Sequence, residues 1–241
     1  MRSEKIEVIL VDIGNSAIKS AEVVAGKIGD SMKWATLEEL NSYYSSDHEF
    51  MLCSTRKMDE TSLEGRSVTI LSHLLPLPIA LAYDTPETLG ADRIAAAAGA
   101  NALFPKHNNL IIDLGTCVTL DLIDKHGVFR GGIISPGLKM RMKAMAHFTS
   151  QLPDISEEWT QFSSGLLGSS TKQCLLSGSF GGLKLEIQGV IDDLKKNFTS
   201  LNVIMTGGDV HYFESSIKAH IFAGSKIVQT GLYRIWKYQN T

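Results

Sequence analysis

The sequence predicts an α/β protein built from two duplicated lobes. Three observations carry this. An apolar strand ending in Asp-x-Gly occurs at Asp12 and again at Asp113. Each copy runs into a hairpin and then into mixed β and α segments, the mark of an internal repeat. Between the copies lies Phe104-Pro105-Lys106-His107-Asn108-Asn109, a polar stretch with a proline, which places a boundary between lobes 1–107 and 108–241.

The elements follow in order. Ile6–Val11 is apolar and β-branched and reads as a buried strand, with Asp12-Ile13-Gly14 as its turn. Ala17–Val24 reads as the second strand, closed by Ala25-Gly26. Thr36–Tyr44 has a helix N-cap in Thr36 and acidic residues Glu38 and Glu39 in its first turn. Phe50–Cys53 and Ser67–Leu71 are short strand candidates, and Leu89–Phe104 is an alanine-rich helix that stops before Pro105. The second lobe offers strands at Leu110–Ile112, Val118–Ile123 and Val128–Ile134, with a turn at Lys125-His126-Gly127. A helix opens at Pro136 and runs to about Ser150. Ser163–Phe198 is helical with a break near Gly178–Gly182; Val203–Met205 and Ile227-Val228 are strand candidates, and Gly231–Tyr238 is a closing helix.

Composition narrows the function classes. The 241 residues are 44% hydrophobic and 20% charged, enough for a full core without staples. A formal net charge of -3 and the lack of a lysine-rich run argue against a nucleic-acid binder. Cys53, Cys117 and Cys174 form no CxxC pair, so neither a zinc knuckle nor a disulfide framework is indicated, and the seven histidines form no HExxH pair. The N-terminus does not read as a signal peptide, and no stretch approaches the ~20 apolar residues of a membrane span, so a cytoplasmic location is expected.

Two loops suit phosphate chemistry. In Asp12-Ile13-Gly14-Asn15-Ser16-Ala17-Ile18-Lys19, Gly14 permits a tight turn, and successive backbone N–H groups can make an anion pocket. Asp12 can hold a Mg²⁺ ion, and Lys19 can bring positive charge to phosphates. Alone, the stretch reads more readily as a plain hairpin with an Asx turn. The second copy, Asp113-Leu114-Gly115-Thr116, changes that balance, because two such loops could flank a triphosphate across a cleft, as in an actin-like fold. Asp113 can bind a cation and Thr116 a phosphate oxygen. Asp121 and Asp124 read as a strand end and a turn. Thr206-Gly207-Gly208-Asp209 is open to two readings, an adenosine contact or a turn with Asp209 as N-cap.

In Leu89-Gly90-Ala91-Asp92-Arg93, followed by alanines, Asp92 could complement the helix dipole. Arg93 is harder to explain structurally. A guanidinium there suits a carboxylate, and an adjacent aspartate could take a proton from a substrate hydroxyl.

Together "DIGNSAIK", "YDTPETLGADRIAAAAGA", "IIDLGTCVTLDLI" with "GVFRGGIISPGL", and "TGGD" resemble type III pantothenate kinase, over about residues 6 to 233. The resemblance implies two ribonuclease-H-like (actin-like) lobes, each a mixed five-stranded sheet with helices, and nucleotide in the cleft between them. It implies phosphorylation of pantothenate by ATP, the opening step of coenzyme A biosynthesis. Residues Asp12 to Lys19 and Thr116 would bind ATP. Tyr83, Gly90, Ala91, Asp92, Arg93 and Thr171 would bind pantothenate, with Asp92 as general base. Asp113 would hold K⁺ or NH₄⁺, alongside Mg²⁺ and ATP, in a homodimer; the helix with Met140, Met142, Met145 and Phe148 could join the dimer surface or be ordinary core. Ser16 replaces the family's usual threonine, and Ser170 stands where asparagine is common. A kinase with another small substrate, or a non-catalytic regulator of the same family, is the alternative.

Overall fold

A computed structural model describes residues 5–57, 63, 65–158, 165–219 and 221–241. The chain divides into two compact units. One comprises 1–109, 121–131 and 226–241; the other comprises 110–120 and 132–225. The strands are β1 Ile6–Ile13, β2 Ile18–Val24, β3 Lys27–Ile28, β4 Met32–Trp34, β5 Glu49–Ser54, β6 Ser67–Ile70, β7 Ala80–Leu81, β8 Asn108–Leu114, β9 Cys117–Ile123, β10 Val128–Pro136, β11 Leu201–Thr206 and β12 Ile221–Ala223. The helices are α1 Leu37–Tyr43, α2 Ala91–Leu103, α3 Leu138–His147, α4 Thr171–Leu176, α5 Gly182–Asn197 and α6 Ile227–Gln239.

In the first unit the sheet runs β3-β2-β1-β5-β6, with β4 also on β2. β1 is antiparallel to β2 and parallel to β5. Val8 to Val11 are buried without alternation, as expected of a strand covered on both faces. Ile9, Val11 and Ile13 pack with Ile18, Leu40, Phe50 and Leu52. α1 starts as its sequence predicts: Thr36 Oγ1 accepts from Glu39 N at 3.1 Å, and the Glu39 carboxylate accepts from Ala35 N at 2.9 Å.

α2 is nearly all buried, which is why its sequence has no polar face. α6 lies against it so closely that a Cβ on Gly231 would sit 1.7 Å from the Ala95 carbonyl oxygen. Trp236 Nε1 donates to Glu49 Oε1 at 2.9 Å, and Lys226 Nζ to Asp30 Oδ1 at 3.0 Å, so α6 is tied to the first unit along its length.

The other sheet runs β12-β11-β8-β9-β10. The core of the second unit joins Leu110, Ile112, Leu120, Met142, Phe180, Ile187 and Val203. Met142 is buried and Met145 packs on this core, whereas Met140 and Phe148 are exposed.

Four expectations need correction. Each sheet has six strands rather than five, because the short β4 joins the first and β7 joins β10 at Val128 and Phe129. Ile227-Val228 is the first turn of α6, not a strand. Both side chains are buried, and packing of that face overrides β-branched propensity. The long helical region begins at Thr171, and Ser163 and Ser164 lie outside the described residues. At Gly178–Gly182 the helix is not broken. A π-helical turn, Ser177–Gly181, joins α4 to α5.

Candidate active site

The first unit gathers most of the expected chemistry. The turn after β1 is a hairpin in which Gly14 N donates to Ala17 O at 3.0 Å, leaving Asn15 and Ser16 exposed at the tip. Strand register decides where Lys19 points. It stands directly opposite Asp12, and cross-strand partners project to the same face. On the other side Asp12 is in register with Cys53, whose buried thiol donates to Asp12 Oδ1 at 3.7 Å. Burial pushes the Asp12 carboxyl up; Lys19 opposes the shift and Asp92 adds to it. Burial, then the charges of Asp12 and Asp92, push the Cys53 thiol well up, so it stays protonated and acts as donor.

Asp92 lies in the first turn of α2, after Gly90 as N-cap. Its Oδ1 accepts from Arg93 N at 2.9 Å, a local bond that holds the carboxylate over the helix N-terminus. Burial raises its pKa most; the Arg93 amide opposes this, and Asp121 raises it further.

Arg93 is where the sequence reading missed a partner. Its Nε donates to both carboxylate oxygens of Asp121, at 3.0 and 3.1 Å, and Nη2 donates to Oδ1. The guanidinium carbon lies 5.8 Å from the Phe129 ring centroid, and Tyr83, whose ring is 5.9 Å from Phe129, contributes a further side-chain hydrogen bond. Burial works against the Arg93 charge, but Asp121 outweighs it and the net shift is upward. Asp121 is therefore no strand end; it lies within β9 and is buried. The signal was present in Arg93 itself, since an arginine in an alanine helix needs a buried counter-charge. Asp124 does sit in a turn: its Oδ1 accepts from His126 N at 2.9 Å and Val128 N at 3.0 Å.

The second unit holds Asp113, Thr116 and Thr171. Asp113 lies near the end of β8, with Gly115 and Thr116 turning into β9. Thr206-Gly207-Gly208-Asp209 packs on this turn. Gly207 has φ +101°, and a Cβ there would lie 2.4 Å from Leu114 O and 2.6 Å from Asp113 Oδ1, so no other residue fits. Asp209 N donates to Leu114 O at 3.1 Å. Asp209 stands at the N-cap position of the 3-10 turn Val210–Tyr212, as one of the two readings expected, though its side chain makes no capping bond. Burial raises its pKa, with His211 and Lys139 opposing. Thr171 is exposed at the start of α4, capped by Ser170, whose Oγ accepts from Gln173 N at 3.3 Å. Serine and asparagine both cap well, which accounts for that exchange. Among the described residues no group of three or more His, Cys, Asp or Glu could enclose a metal ion.

The sequence model of the type III pantothenate kinase family matches residues 53–193. A type III pantothenate kinase of Cytophaga hutchinsonii is 39% identical over 234 residues, covering 95% of this chain and 98% of that protein. This chain belongs to the type III pantothenate kinase family. In fold it is similar to two solved structures. One, a Campylobacter jejuni protein described as a Baf family transcriptional activator, has a TM-score of 0.65 and 21% identity, with 95% of this chain and 98% of that chain covered. The other, a Sinorhizobium meliloti protein described as a 2-dehydro-3-deoxygalactonokinase, has a TM-score of 0.62 and 14% identity, with 95% and 98% covered. The α/β lobes expected from the duplicated strand-Asp-x-Gly pattern are those of the actin-like and sugar-kinase folds. No described helix is long and apolar enough to cross a membrane.

Proposed function

We infer that this chain transfers the γ-phosphoryl group of ATP to the primary hydroxyl of pantothenate, giving 4'-phosphopantothenate, the first step of coenzyme A biosynthesis. The observation that carries this is the Asp92–Arg93 pair, a raised carboxylate beside a buried, oriented guanidinium in a chain of this family. A hydroxylated carboxylic acid has one group for each. Asp92 accepts the hydroxyl proton as that oxygen forms its bond to the γ-phosphorus and the bond to ADP breaks. A carboxylate with a raised pKa is a better base than an ordinary one. Tyr83 and Gly90 to Arg93 hold pantothenate, with Thr171 assigned to the same substrate.

In the first unit, the loop from Asp12 to Lys19 binds ATP phosphates through its turn amides and Lys19. In the second unit, Thr116 contacts ATP. The donor set fits hard cations. Asp12 is a part-buried carboxylate raised by burial and further by the charge of Asp92, and Lys19 is the cation set against it. Mg²⁺ at Asp12 and K⁺ or NH₄⁺ at Asp113 would neutralise phosphate charge. Exposed Ile133, Ile134 and Phe148 support a homodimer, in which apolar side chains of the second unit would be covered.

The test is a coupled assay of ADP release, with and without pantothenate, in K⁺ and in Na⁺ buffers. Pantothenate-dependent ADP release in K⁺ is the expected result. Phosphorylation of a sugar and none of pantothenate would reject the assignment.

A further inference from the structure

The guanidinium assigned to the substrate carboxylate already has a partner inside the protein. Arg93 Nε spans both oxygens of Asp121, at 3.0 and 3.1 Å, and Nη2 adds a third contact. The side chains are 7% and 2% exposed, so the pair is formed almost out of water. One edge of the fork, Nε with the near hydrogen of Nη2, is used up. What remains for a ligand, alongside the Tyr83 contact, is the end formed by Nη1 and the outer hydrogen of Nη2. The ring of Phe129 and the side chain of Tyr83 close the surroundings.

A buried ion pair is a poor device for stability, because apolar side chains of similar volume do as well or better. It is a good device for orientation. A long arginine side chain otherwise spreads over many rotamers, and a carboxylate that grips one edge fixes the plane and direction of the other. Tyr83 connects this pair to the assigned substrate pocket.

We propose that Asp121 is a positioning residue for substrate recognition: it clamps the Nε edge of Arg93 so that the Nη end is set for the substrate carboxylate. This rests on the assignment of pantothenate to Arg93. Asp121 touches no reacting atom. It also offsets the formal charge of Arg93, so discrimination comes from directed N–H donors rather than from net positive charge.

The experiment is steady-state kinetics of Asp121→Asn, which keeps the shape and removes the charge. The Michaelis constant for pantothenate should rise about 30-fold, equal to ~2 kcal/mol at about 1.4 kcal/mol per decade. That for ATP should stay within about twofold, and kcat should fall less than the pantothenate constant rises. Adding Arg93→Ala to Asp121→Asn should raise the pantothenate constant by less than about threefold further, because the two act as one unit. Asp121→Glu, which restores the charge, should recover part of the loss. If Asp121→Asn does not fold, the pair Arg93→Met with Asp121→Leu leaves no unpaired buried charge. Its pantothenate constant should then match that of Arg93→Met alone. An unchanged pantothenate constant in folded Asp121→Asn, an equal rise for both substrates, or a double variant with wild-type affinity overturns the proposal. If wild type fails to phosphorylate pantothenate at all, the substrate assignment falls and takes the proposal with it; wild-type turnover with an unaffected Asp121→Asn sinks the proposal alone.

Discussion

Replacing Asp92 by Asn separates its charge from its shape. The amide oxygen can still accept the 2.9 Å bond from Arg93 N, so the first turn of α2 keeps its geometry. What is lost is a base for the substrate hydroxyl. A positioned general base contributes about 10² to 10⁴ in rate. Taking the middle of that range, kcat should fall about 10³-fold, or ~4 kcal/mol of barrier at about 1.36 kcal/mol per decade. The Michaelis constant for ATP should change by less than about twofold. Stability should move the other way. The folded pKa of Asp92 lies above the ordinary 3.8, chiefly because of burial. Between those two values the folded state binds more protons than the unfolded one, so Asp92 costs stability as pH rises through its folded pKa. That cost is present at every pH above the ordinary 3.8 and complete above the folded pKa, and Asn removes it. Asp12 benefits too, since Asp92 is one of the charges raising it. Melting at neutral pH should therefore show Asp92→Asn to be more stable than wild type while turnover collapses. For the same reason kcat/KM of wild type should decline with falling pH through a pKa above the usual 3.8. Turnover within tenfold of wild type would remove Asp92 as the base, and a lower melting temperature would refute the desolvation argument.

Gly231→Ala should cost on the order of 3 kcal/mol in a urea melt, because the new Cβ meets Ala95 O at 1.7 Å and α6 must lift from α2; an unchanged midpoint would show that the helices have room. Activity should drop at least about tenfold when K⁺ is replaced by Na⁺, and Asp113→Asn should abolish that difference; full activity in sodium contradicts the cation role of Asp113. Asp124 is held below its ordinary 3.8: burial pushes its pKa up, but bonds from Val128 N, Arg130 and His126 N outweigh it. It therefore stabilises above pH 3.8 and loses that stabilisation as pH falls through its depressed value, so Asp124→Asn should be destabilising at pH 7 and progressively less so in acid. Equal destabilisation at both pH values in urea titrations would contradict this.

Much of the site is local chemistry and was legible as such. The two strand-Asp-x-Gly turns, the helix opening at Gly90-Ala91-Asp92-Arg93 and the Thr36 cap each depend on neighbours within a few residues. Strand and helix periods report which face is buried, so β1, β2, β5, β8 and β9 lie within two residues of their expected bounds, whereas α3 starts after Pro136, which ends β10, and α6 starts four residues before Gly231. Ile227-Val228 reads as a strand in sequence because two β-branched residues carry no information about the helix packing around them. The π-helical turn at Ser177–Gly181 looks like a break in sequence because glycines mark irregularity without saying which kind.

The duplication, the acidic groups at strand and helix ends, and the family are all written in local stretches of sequence. What those groups face is set by long-range packing. Lys19 is aimed by strand register, which sets it opposite Asp12. Cys53 reaches Asp12 across 41 positions of sequence, and Asp121 reaches Arg93 across 28. Such pairs form because a charge carried into the interior must find its counterpart there, and no local pattern records which distant residue that will be.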